Sequence, residues 1–315
     1  MNAFVDIRRP WRIAAAWLAA GAAHAAASFA VVEEPATGRY TVTEQGRPVL
    51  TYNFASVPVP AGVSGKYAVA RSDYVHPLYG PSGEILTQDF SPDHPHHRGL
   101  YWAWPEVTWK GETRDLHALQ GVFARPVRIV RKEAADGGAV LEAENLWRWG
   151  DEQPIVREWA TVSVLPEKDR RRAIDFAFRF QPLVEGVTLA RRGQAHYGGF
   201  NVRLSARANQ KITTHTRTNA APCEAWACLA GVPPQGQQPV SVVLLQSPAN
   251  PDYPGDWIQY PNLNWLQPTF PSKGTAYRLS PDKPLVLRYR LVILSGEADD
   301  ATLQNLWTEY AGTEK

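Results

Sequence analysis

The run Asp93-His94-Pro95-His96-His97-Arg98-Gly99-Leu100 holds three imidazoles, one carboxylate and one guanidinium within six residues. Imidazole titrates near neutral pH, so it takes and returns protons at a reacting carbon or hydroxyl. Neutral imidazole also binds zinc, copper, iron or nickel. Arg98 suits a carboxylate or a sugar hydroxyl. His76 lies upstream, Glu106 and His117 downstream. In an extended segment His94 and His96 share one face, and Asp93 and His97 share the other. All can point one way only through a turn, which Pro95 and Gly99 permit. The spacing matches neither H-E-x-x-H nor a zinc-deaminase signature. No cofactor is required. A divalent metal is compatible, with His94 and His96 as candidate ligands. The bland alternative is a solvated or structurally hydrogen-bonded histidine loop.

Two further clusters carry polar groups. Gln194-Ala195-His196-Tyr197-Gly198-Gly199-Phe200-Asn201-Val202-Arg203 combines His196, Tyr197 and Arg203 with two glycines that admit a close neighbour. Its structural alternative is a glycine-rich strand start with Arg203 in an ion pair. Asn250-Pro251-Asp252-Tyr253-Pro254-Gly255-Asp256-Trp257 is followed by Tyr260 and Trp265. Flat rings with polar edges suit carbohydrate, although large aromatics equally fill cores. Asp89, Asp93, Glu106, Glu112, Asp115 and Asp252 are candidate carboxylates for glycoside hydrolysis, a reaction whose geometry spacing does not fix. There is no G-x-S-x-G elbow and no phosphate-binding P-loop.

The elements that must position these groups read as strands. Ile174, Phe176, Phe178 and Phe180 alternate with polar or small residues, and Leu287, Tyr289, Leu291 and Ile293 alternate with Arg288 and Arg290. Further strands are expected at 40–44, 49–54, 122–132, 140–147, 156–165, 200–205, 211–218 and 240–246. Turn clusters such as Asp136-Gly137-Gly138 separate them. The expected fold is all-β, a large antiparallel β-sandwich, with one short C-terminal helix. That helix would be capped by Asp299 or Asp300, bury Leu303, Leu306, Trp307 and Tyr310, and stop at Gly312. Two long stretches, 55–119 and 248–274, lack periodicity and hold most of the candidate residues.

The ends and the charge bound the setting. Arg8, Arg9 and Arg12 precede an apolar run at 13–20, with small residues following to Ala27. This reads as a cleavable signal peptide over 1–27, leaving one β-sandwich domain at 28–315 and a periplasmic or secreted protein. Arg8-Arg9 leaves export by the general or the twin-arginine route open. The formal net charge is +2 over 315 residues. Removing the leader takes three arginines and Asp6, which balances the charges and removes compositional support for a nucleic-acid partner. No later apolar run is long enough to span a membrane. Cys223 and Cys228 could close a small disulfide loop in an oxidising compartment.

The histidine run, His76-Pro77, Tyr197 through Arg203, Asn250-Pro251 through Trp257 and Leu287-Arg288-Tyr289-Arg290 lie in the order found in a bacterial family labelled PmoA-like, a domain of unknown function that this sequence resembles. Where such members show a Gly-Asp-Phe-Trp-like stretch, this chain departs, with Trp104-Pro105-Glu106 through Leu116. The resemblance implies an all-β protein, often accompanying sugar-processing enzymes, with a fold similar to mutarotase-type supersandwiches. The expected function is therefore a carbohydrate-active enzyme of lyase, hydrolase or epimerase type acting on a sugar or oxidised sugar. His94, His96 and His97 would move protons and Asp93 would orient one of them. Arg98, His76, His117, His196, Tyr197, Arg203, Trp257 and Tyr260 would bind substrate. The alternatives are a non-catalytic carbohydrate-binding protein and a His-ligated metalloenzyme.

Overall fold

The computed structural model describes residues 28–92, 94–102, 104–192, 197–258, 260 and 263–313. Among them are three antiparallel sheets and one helix. The larger sheet has eight strands in the order Ala208–Arg217, Glu224–Val232, Val240–Gln246, Leu285–Ser295, Arg171–Pro182, Gln153–Val164, Gly138–Trp149 and Val122–Ala135. A seven-stranded sheet runs Phe29–Glu34, Arg39–Glu44, Arg47–Asn53, Tyr74–Leu78, Leu100–Trp102, Phe200–Arg203 and Trp265–Leu266. A four-stranded sheet joins Ala276–Arg278, Thr188–Ala190, Glu106–Trp109 and Glu112–Arg114. The all-β sandwich expected from alternation is the fold observed.

The inner faces of the two large sheets share one core. Ile174, Phe176, Phe178 and Phe180 are all buried, because a strand sends alternate side chains to the same face. Phe178 meets Trp102 of the facing sheet edge-on, with ring centroids 4.8 Å apart, and Trp102 stacks on Trp104 at 4.4 Å. The second periodic strand behaves likewise: Leu287, Tyr289, Leu291 and Ile293 are buried and pair with the phenylalanine strand in register.

The helix Asp300–Thr313 covers the other face of the eight-stranded sheet. Asp299 caps it, its Oδ1 accepting from the Thr302 N–H at 2.8 Å. Leu303, Leu306, Trp307 and Tyr310 bury against Trp226, Val243, Leu245 and Val292. Strand Glu224–Val232 is therefore covered on both sides, which explains its unbroken apolar run. Gly312 lies within the helix rather than ending it, since the last turn continues to Thr313.

Two expectations are corrected here. Cys223 and Cys228 are separate thiols. Five residues of near-extended chain at about 3.3 Å each hold their backbones far beyond the roughly 4.4–6.8 Å a disulfide needs. Cys223 Sγ instead lies 3.1 Å from the Thr218 carbonyl oxygen, and Cys228 is buried under the helix. Trp257, expected as a sugar-facing ring, is a core residue whose Nε1 donates to the His215 carbonyl at 3.1 Å.

Candidate functional site

The histidine run is bent back on itself. The His94 N–H donates to the Ser91 carbonyl at 3.0 Å, and the His97 N–H donates to the His94 carbonyl at 2.9 Å. The turn over Pro95 and His96 removes the two-face alternation of an extended chain. Immediately after it, Gly99 adopts a φ of 58°, and a Cβ there would collide with the Val75 carbonyl oxygen. Gly99 thus lets strand Leu100–Trp102 start hard against strand Tyr74–Leu78.

Arg98 leaves the run in the opposite direction. Its guanidinium is wholly buried and ion-paired with Asp89. It also donates to Tyr74 Oη at 2.6 Å and lies 3.5 Å from the Phe90 ring centroid. Tyr74 Oη in turn donates to Asp89 Oδ2 at 3.1 Å. Arg98 is a scaffold residue and not a substrate-binding one, because its charge is fully engaged inside the protein.

His117 arrives from the other side of the cavity. Its N–H donates to the Trp104 carbonyl at 3.1 Å. Buried Arg71 donates to the carbonyls of Leu116 at 2.8 Å and of His117 at 2.6 Å. The same guanidinium sits 4.3 Å from the Tyr101 ring centroid, and Tyr101 Oη lies 3.3 Å from His117 Nε2. Burial brings the Arg71 pKa down to about 10. Burial also holds His117 well below the ordinary imidazole range, and the neighbouring His97 and His96 push it further the same way. Among the described residues no hydrogen-bond partner reaches His117 Nδ1.

Three imidazoles consequently meet. Ring centroids are 4.7 Å apart for His96–His97, 4.7 Å for His96–His117 and 5.1 Å for His97–His117. One ligand nitrogen from each lies within 4.8 Å of the others. His94 stands beside this trio, 4.9 Å from His97 by ring centroid. The metal candidates expected from sequence, His94 and His96, are therefore not the grouped set: His96 joins His97 and His117, and His94 stays outside.

The trio lines a cavity of about 380 Å³. The aromatic side is Trp265, 5.0 Å from His97, with Tyr260 stacked on it at 5.5 Å, and Tyr67, 5.1 Å from His96. The polar side is Asp115, ion-paired with Arg192 and accepting the Ala118 N–H at 2.8 Å. Tyr197 completes this wall, its backbone paired with Arg192 at 3.0 Å in both directions.

Of the expected site residues, His94, His96, His97, His117, Tyr197 and Tyr260 line this one cavity. Arg98, His76, Arg203 and Trp257 do not. His76 Nδ1 lies 2.9 Å from Thr87 Oγ1, and burial lowers its pKa. Arg203 is buried and donates to Ser91 Oγ at 3.0 Å, which ties its strand to the base of the histidine loop. Asp93 and His196 lie outside the described residues. Tyr67 and Arg192 lie in no cluster that the sequence singled out. Asp115 was legible only as one carboxylate among six, and Trp265 only as aromatic supply. Asp115 stands two residues before His117 and Arg192 two before Gln194, a closeness in sequence that Tyr67 lacks.

The chain belongs to a family of unknown function, DUF6807, whose profile matches residues 39–308. No curated protein matches. Among solved structures, the chain is similar to a putative kojibiose phosphorylase from the human microbiome, at 8% identity and a TM-score of 0.34. The match covers 90% of this chain and 32% of that one, so the chain spans about a third of that protein's length.

Proposed function

We propose that this protein is an enzyme acting on a carbohydrate or an oxidised sugar inside the histidine cavity. The observation that carries the reading is the convergence of His96, His97 and His117 with the Tyr260–Trp265 ring pair around one cavity. Its volume falls within the range of about 300–1,000 Å³ typical of small-molecule sites. Sugar C–H faces pack on aromatic rings, while hydroxyls seek the edges that Tyr197, Asp115 and Arg192 supply. Arg192 is the only guanidinium on the wall among the described residues, and it suits the carboxylate of an oxidised sugar. The imidazoles are the reactive end, where a hydroxyl or a C–H beside a carbonyl loses its proton. Lyase, epimerase and hydrolase chemistry share that demand. Export through a leader over residues 1–27 belongs to the same proposal, and N-terminal sequencing of the secreted protein checks it.

The test is incubation with neutral disaccharides and hexuronates, followed by proton NMR for new products, together with calorimetric binding of D-glucuronate. Turnover is expected in the wild type and lost in the folded double variant His96→Ala, His97→Ala. Binding without turnover of any member would convert the reading to a carbohydrate-binding protein. Neither binding nor turnover would overturn it.

A further inference from the structure

We propose that His96, His97 and His117 form a three-imidazole site for a divalent first-row transition ion, with the fourth position facing the cavity. The first support is geometric. Three imidazole nitrogens at roughly 2.0–2.1 Å from one zinc place their ring centroids about 5 Å apart at near-tetrahedral angles. The observed separations are 4.7, 4.7 and 5.1 Å. The rings are inclined to one another by 90°, 53° and 61°, so no two of them stack.

The second support is the hydrogen bonding of His117. This residue is 97% buried, from an exposure of 3%, and its Nδ1 finds no partner among the described residues. Its other nitrogen, Nε2, lies against Tyr101 Oη. If Nε2–H donates to Tyr101, Nδ1 presents a buried lone pair to no described group. If Tyr101 donates instead, Nδ1 carries a buried proton with no acceptor among the described residues. Either state costs about 1–3 kcal/mol, and an ion on Nδ1 relieves the first. A ligating histidine characteristically spends its second nitrogen on an outer hydrogen bond of this kind.

The third support is what the neighbours leave open. Asp115, the one described carboxylate on the cavity wall, accepts the Ala118 N–H on one oxygen and pairs with Arg192 through the other. The ligand set is then all-imidazole, which favours zinc, copper, iron or nickel over magnesium or calcium. Three protein ligands and an open position are the arrangement of catalytic zinc sites. Such an ion would act as a Lewis acid on a substrate oxygen. That role rests on the sugar-directed reading; the binding of the ion does not.

The experiment uses full-length protein without a histidine tag, stripped with chelator and titrated with cobalt(II) alone. One cobalt per chain is expected, with the intense visible bands of a four- or five-coordinate ion. His96→Ala, His97→Ala and His117→Ala should each weaken binding by roughly a hundredfold or more, and Tyr101→Phe by about tenfold. His94→Ala and His76→Ala should leave it unchanged. Circular dichroism checks folding. If a ligand variant fails to fold, an anomalous difference peak in zinc-soaked wild-type crystals decides the same question: density between the three rings supports the site, and its absence refutes it. Substoichiometric cobalt in folded wild type, binding that survives His117→Ala, or loss in His94→Ala would each overturn the proposal. D-glucuronate binding to the stripped protein separates the two readings. Sugar without cobalt leaves the sugar reading standing and this inference fallen; cobalt without sugar does the reverse.

Discussion

Arg98 and the histidines next to it in sequence meet opposite fates. Arg98 is fully buried and its charge closes on Asp89, Tyr74 and the Phe90 ring. His96 and His97 turn the other way and join His117, whose Nδ1 is met by no described partner. The two clusters share a loop and a polar composition. They differ in closure. A buried polar group whose bonds end within the protein holds the fold together, whereas His117 Nδ1 makes no such bond among the described residues.

The largest effect should fall on the closed cluster. Arg98→Ala leaves Asp89 beside an uncompensated apolar pocket and should cost about 3–5 kcal/mol in a urea melt. A loss below about 1 kcal/mol would break the distinction. A third cluster, between the two large sheets, sharpens it through pH. Burial pushes Glu158 well above the ordinary carboxyl range, with the Asp73 charge adding to it, while Trp147 Nε1 donates to Glu158 at 2.6 Å. Folded Glu158 therefore keeps a proton that the unfolded chain releases near pH 4.3. Its contribution is full below that pH and declines as pH rises toward the folded pKa, by up to about 1.4 kcal/mol per pH unit. Glu158→Gln retains a donor and an acceptor, so its stability should fall less steeply than wild type between pH 5 and 8. Parallel melts across that range read the difference directly.

A smaller loss is expected at the hinge between the clusters. Gly99→Ala combines a left-handed φ with a collision at the Val75 carbonyl and should cost about 2 kcal/mol or more. Thermal unfolding checks it. Smallest is Tyr260→Ala on the cavity wall. It should weaken D-glucuronate binding about tenfold, or roughly 1.4 kcal/mol, and leave the melting temperature within error.

Much of the fold was legible because alternation is a local signal. The phenylalanine strand 174–180 and the strand 287–293 show their buried faces in sequence and keep them in the sandwich. The helix cap at Asp299 was legible for the same reason. The site was legible in part. Grouped histidines marked the loop, but no spacing rule could say that Arg98 turns inward while His97 turns toward His117. That separation depends on the turn at Pro95-His96 and on the bond that holds the His117 N–H to the Trp104 carbonyl, well outside the loop. Trp257 shows the reverse error: a tryptophan in an irregular stretch still packs into the core when that stretch crosses a sheet edge, as its bridge to Pro268 does. Tyr67 and Arg192 reach the cavity only through tertiary folding, so no local pattern announces them.

The contrast between closed and open clusters has one direct measurement, the unfolding free energy of the double variant His117→Leu, Tyr101→Phe in chelator-treated protein. The Arg71 bonds in this region reach backbone carbonyls, so the substitutions spare them. Replacing both buried partners, the imidazole and the Tyr101 hydroxyl that meets its Nε2, by apolar groups should be neutral within about 1 kcal/mol, or stabilising. A loss of about 3 kcal/mol or more, matching Arg98→Ala, would show that His117 is scaffold too and would contradict the account.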